Sequence, residues 1–115
     1  PSSNSSSANA SSSKYVAISN ASPSSTLVMS TKNIYTANLK LGKSLQIKFG
    51  NITKGQSVKV EMITPDKRKY LIWSKTVSKT GLLATSTFKP LVLGNYVFRV
   101  TIGKSGKSIN LTVKK

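Results

Sequence analysis

The chain has 115 residues, with 18 lysines and arginines against 2 acidic residues, neither histidine nor cysteine, and a formal charge of +16. Without imidazole or thiol there is no serine or cysteine triad and no zinc site built on those ligands, so most enzyme classes are excluded. One domain of this size buries roughly 65% of its unfolded surface without disulfide or metal staples, and 37% apolar residues supply a core.

In chain order, residues 1–13 (PSSNSSSANASSS) contain only Ser, Asn, Ala and Pro and are read as a flexible tether, with a folded domain over 14–115. A Ser/Asn tether ahead of a compact module is the pattern found after a signal or lipid-anchor site. An extracellular or cell-surface location is therefore expected, an intracellular linker being the alternative. The absence of cysteine suits an exported bacterial or archaeal protein better than a small disulfide-stapled one. No apolar run approaches the ~18 residues of a membrane-spanning helix.

Thr26 to Ser30 and Ile34 to Leu41 read as extended. From Ser44 onward apolar residues recur at every second position, the period of half-buried strands. Leu45, Ile47 and Phe49 alternate with polar neighbours, as do Val58, Val60 and Met62. Residues 69–78 are rich in strand formers, with Leu71 and Trp73 on one face and Tyr70 and Ile72 on the other, and Leu83 to Phe88 follows as a short strand. Tyr96, Phe98, Val100 and Ile102, then Ile109, Leu111 and Val113, define two last strands joined by a hairpin at Gly103-Lys104-Ser105-Gly106. No stretch carries a helical stripe. Seven or eight short strands with one inward face each predict an all-β fold, an antiparallel β-sandwich or small barrel. The expected core is Leu45, Ile47, Phe49, Val58, Val60, Met62, Trp73, Phe88, Tyr96, Phe98, Val100, Leu111 and Val113.

The run Leu93-Gly94-Asn95-Tyr96-Val97-Phe98-Arg99-Val100, followed by a hairpin and a final alternating strand, resembles the end of extracellular immunoglobulin-like and fibronectin type III-like sandwiches. In those modules a Leu-Gly-x-Tyr run enters the penultimate strand. The resemblance implies an immunoglobulin-like sandwich whose tyrosine hydroxyl bonds back to the backbone. It carries no function, because the fold serves many.

The two carboxylates, Glu61 in a strand and Asp66 in the next turn, stand about 17 Å apart along an extended chain, too far for paired acid–base work. Gly50-Asn51-Ile52-Thr53-Lys54-Gly55-Gln56-Ser57 matches a phosphate-binding loop apart from Gln56 in the lysine position, but a strand follows where that loop needs a helix. A Lys–Asn crosslink needs a buried acid between strands, and Glu61 alternates outward. No enzymatic activity and no cofactor are expected.

Uncompensated charge is the strongest signal, since cations on so small a domain repel one another and favour a polyanionic partner or environment. Only 2 of the 18 cations are arginine (Arg68 and Arg99), which favours diffuse attraction over base recognition. No recognition helix is evident. Tyr15, Tyr35 and Tyr70 are the aromatics left over for an exposed stacking surface. For an exported module the expected partner is an anionic envelope polymer, teichoic acid or acidic polysaccharide, with extracellular DNA as a further polyanion. The rival reading is a self-associating structural subunit of a surface layer, filament or matrix, its charge only solubilising. The expected docking residues are Lys67, Arg68 and Lys69 after Pro65-Asp66, Lys104 and Lys107 on the hairpin, and Lys59, Arg99 and Lys114 in a continuous stripe across three neighbouring strands.

Overall fold

The computed structural model describes residues 14–19 and 21–115, so the tether expected over 1–13 lies outside the described residues. The strands are β1 (Val16–Ser19), β2 (Ser25–Met29), β3 (Ile34–Lys40), β4 (Leu45–Ile52), β5 (Ser57–Ile63), β6 (Lys69–Thr76), β7 (Gly81–Ala84), β8 (Thr87–Pro90), β9 (Gly94–Ile102) and β10 (Ser105–Lys114). They form two five-stranded sheets. One runs β1-β8-β4-β2 with β7 also on β4, the other β3-β10-β9-β5-β6.

Alternation explains the layering. In β5 Val58, Val60 and Met62 are buried while Ser57 and Lys59 face water, and β9 and β10 repeat the pattern with Tyr96, Phe98, Val100, Ile109, Leu111 and Val113 inward. The opposite layer supplies Leu45, Ile47, Phe49 and Phe88, and Phe88 meets Phe98 across the core with ring centroids 5.6 Å apart. Each such fully buried side chain contributes about 1.5–3 kcal/mol. The result is the sandwich read from the sequence.

Among the described residues ten strands replace the seven or eight counted from the pattern. The four-residue β1 lies at a sheet edge, paired with β8. The stretch read as one strand from Leu83 to Phe88 is two, because Thr85 interrupts it. Its backbone N–H donates to the Ile47 carbonyl at 2.9 Å while its hydroxyl accepts from the Ile47 N–H at 3.1 Å, so a side chain completes the ladder there. Two pairs, β2 with β4 and β3 with β10, are parallel within an otherwise antiparallel arrangement.

Trp73 is half-buried, stacked on Phe49 at 6.4 Å. A bulge in β6 pairs Glu61 with Leu71 and Val60 with Trp73, so Leu71 faces out, Trp73 faces in and strict alternation fails. Tyr15 and Tyr35, left over for an exposed surface, are both buried. Tyr96 on β9 donates its hydroxyl proton to the Val92 carbonyl four residues upstream, the tyrosine corner of immunoglobulin-like sandwiches, and the order β10-β9-β5 matches their G-F-C strands.

Candidate anion-docking surface

The nine-residue strand β9 spans about 26 Å and separates two ends of the sandwich. The first pole gathers the β3–β4 turn, the β5–β6 turn, the β8–β9 loop and both Lys14 and Lys115. It is tied together where Leu41 N–H meets the Lys114 carbonyl at 2.6 Å, Leu91 N–H meets the Tyr15 carbonyl at 2.7 Å, and Gly94 packs on Pro65. The second pole gathers the β4–β5 turn, the β9–β10 hairpin and the segments before β3 and β7, joined through Gly55 N–H to the Val77 carbonyl and Gly103 N–H to the Ser57 carbonyl.

The β5–β6 turn builds the first pole's most compact charge. Pro65 occupies the second position of a β-turn closed by Lys67 N–H on the Thr64 carbonyl at 2.8 Å, and Lys67 then takes a left-handed φ of 69° so that Thr64 N–H meets the Arg68 carbonyl. Asp66 accepts from the Thr64 hydroxyl, from Tyr15 Oη at 2.6 Å and from Arg68 at 3.4 Å. Those contacts, the Thr64 hydrogen bond foremost, hold its carboxyl below the usual carboxylate range. Asp66 therefore shapes the turn, and Lys67, Arg68 and Lys69 stay exposed beside it. A groove of about 550 Å³ runs alongside, lined by Ile63, Thr64, Pro65, Lys67, Asn95 and Val97.

The expected docking residues divide between the poles. Lys67, Arg68, Lys69 and Lys114 lie at the first. The hairpin turn at the second pole is only Gly103-Lys104, with the positive φ of 58° at Gly103 that a two-residue loop requires. Lys104 stands at its tip. Lys107 lies within β10, half-buried, its ammonium donating to the Lys32 carbonyl at 2.7 Å, so it is not a turn-tip cation.

Lys59 and Arg99 share the outer face of neighbouring β5 and β9, with Glu61 opposite Arg99. Lys114 is on the adjacent β10 but six residues beyond Ser108, Arg99's partner, which places it about 20 Å away. The expected continuous stripe is thus broken: the three strands are neighbours, but the three side chains are not level. The sequence reading missed Lys14, Lys40, Lys43 and Lys115. Lys40 stands directly opposite Lys114 because β3 pairs parallel to β10, a like-charge juxtaposition that costs stability in water.

Among the described residues no three His, Cys, Asp or Glu come together as metal ligands. The Gly50–Ser57 stretch links two strands, and Gln56 there accepts the Thr53 N–H at 2.9 Å to close the turn. Glu61 lies on the outer face of its sheet, away from the interior between the layers.

No family model matches the chain, and no curated protein matches it. Solved structures do. The extracellular domain of a voltage-gated sodium channel beta4 subunit superposes with a TM-score of 0.55 at 12% identity, covering 76% of this chain and 91% of that one. A cysteine protease inhibitor from Entamoeba histolytica gives 0.55 at 11%, covering 78% and 96%. A Cu(I) amicyanin gives 0.56 at 9%, covering 87% and 99%. A blue-copper site built on two imidazoles and a thiolate needs both ligand types, and this chain has no His or Cys to supply them. At these identities the similarity is one of fold: the chain is a β-sandwich of the kind found in immunoglobulin-like and cupredoxin-like domains.

Proposed function

We propose that this is a non-catalytic, exported or cell-surface module of immunoglobulin-like type that docks onto an anionic envelope polymer, a teichoic acid or acidic polysaccharide, through lysines. The observation that carries the reading is cation crowding with too few counterions to offset it. At the first pole Lys40 faces Lys114, with Lys43, Lys67, Arg68 and Lys115 at the same end, and Asp66 is the one carboxylate there among the described residues. A polyanion relieves that repulsion. Flexible, solvated ammonium groups suit an irregular polymer better than a shaped ligand, and non-specific hold on extracellular DNA follows from the same chemistry.

The discriminating experiment is particle size at low and high salt, with and without isolated cell walls. Docking through lysines weakens steeply as salt rises, whereas a self-associating structural subunit persists or strengthens. Reversing Lys67, Arg68 and Lys69 to Glu is expected to weaken wall binding far more than reversing Lys32, Lys48 and Lys79. Equal losses would mean that net charge alone matters.

A further inference from the structure

The first pole carries a second chemistry that a hydrophilic polymer does not need. The β8–β9 loop is Leu91-Val92-Leu93, three consecutive large apolar side chains 39–45% exposed, and Leu41 on the neighbouring turn is 41% exposed. Exposed runs of this kind are avoided on soluble surfaces unless they serve a contact. The loop cannot fold them back. Its start is pinned by Leu91 N–H on the Tyr15 carbonyl, its middle by Tyr96 Oη on the Val92 carbonyl, and its end by Gly94 against Pro65.

Three cations flank this tip. Lys14 precedes the residue that pins Leu91, Lys67 sits on the turn packed against Gly94, and Lys114 follows Val113, the register partner of Gly94. An apolar tip flanked by lysines matches the interface of a bilayer, where acyl boundaries lie just beneath anionic headgroups.

We propose that the first pole is a membrane seat, with Leu91, Val92 and Leu93 entering the interfacial layer of an anionic bilayer and the surrounding lysines meeting its headgroups. In that orientation the second pole, with Lys54, Lys79 and Lys104, projects about 26 Å outward. It stays available to a polymer above the membrane. The proposal shares cations with the polymer reading but rests on a separate observation, the apolar tip.

The test is sedimentation of the whole chain with vesicles of phosphatidylcholine alone or with phosphatidylglycerol added, beside an arm with soluble polyphosphate. Binding is expected only to the anionic vesicles. It should fall about 10-fold in Leu91→Ser/Leu93→Ser, at an unchanged urea midpoint, and about 10-fold in Lys67→Gln/Lys114→Gln. A Leu93→Trp substitution in a Trp73→Phe background should be quenched by brominated lipid. Full vesicle binding by the leucine variant, or an unquenched indole, overturns the membrane seat. So does polyphosphate binding with no vesicle binding, which leaves the polymer reading standing. Vesicle binding without polyphosphate binding supports the seat and removes the polymer reading instead.

Discussion

Substituting Tyr96 with Phe isolates one hydrogen bond. The ring is fully buried and stays in place, so no cavity opens, and what disappears is the hydroxyl that donates to the Val92 carbonyl, with the Tyr15 carbonyl 3.4 Å away. A net hydrogen bond is worth about 1 kcal/mol, and an acceptor left unsatisfied raises the cost toward about 3 kcal/mol. We expect a loss of about 2 kcal/mol in urea denaturation followed by circular dichroism, and a midpoint temperature lower by about 10 °C. The substitution also acts on the alkaline limb. Burial raises the Tyr96 hydroxyl above the ordinary tyrosine value. The unfolded chain therefore ionises first, and stability is lost as pH rises past about 10. The Phe variant should lose that part of the alkaline sensitivity. A destabilisation below about 0.5 kcal/mol would refute the view that this corner pins the β8–β9 loop.

Further outcomes are expected. Phe98→Ala, fully buried against Phe88, should cost about 3–5 kcal/mol by thermal or urea melting. Gly94→Ala should cost more than about 1 kcal/mol, because φ is 132° and the new Cβ lies 2.8 Å from Pro65 Cγ and 3.0 Å from Pro65 Cβ; adding Pro65→Ala removes the Cγ clash alone and should recover only part of the loss. Lys67→Gly should stabilise by up to about 1 kcal/mol by relieving the left-handed backbone. Asp66 contributes stability that is present above the usual carboxylate range and lost as pH falls through its lowered value, so Asp66→Asn should flatten the acid limb of a melting-temperature profile.

Where one face of a strand is buried and the other wet, the fold was legible: the alternation of β4, β5, β9 and β10 is set by that two-sided environment. The short β1 was not, since Val16 and Ile18 are too few to establish a period. Nor was the orientation of Leu71 and Trp73, because the bulge adds a residue that no pattern announces. The candidate surface was half legible. Lys67, Arg68 and Lys69 could be found as a charge run after a turn. The cation at Lys40 could not, because its place opposite Lys114 depends on a parallel β3–β10 pairing between segments about seventy residues apart, and Lys43 follows it on the next turn. The separation of Lys104 from Lys67 across the length of β9 follows equally from topology and not from spacing in the sequence.

The central claim is that the cations at the poles hold a polyanion, and its most direct measure is the affinity for polyphosphate as a function of salt. If about six cations engage at once, the binding constant should fall about a thousand-fold between roughly 50 and 200 mM salt, on a linear log–log plot. An affinity that stays level across that range would contradict docking through lysines.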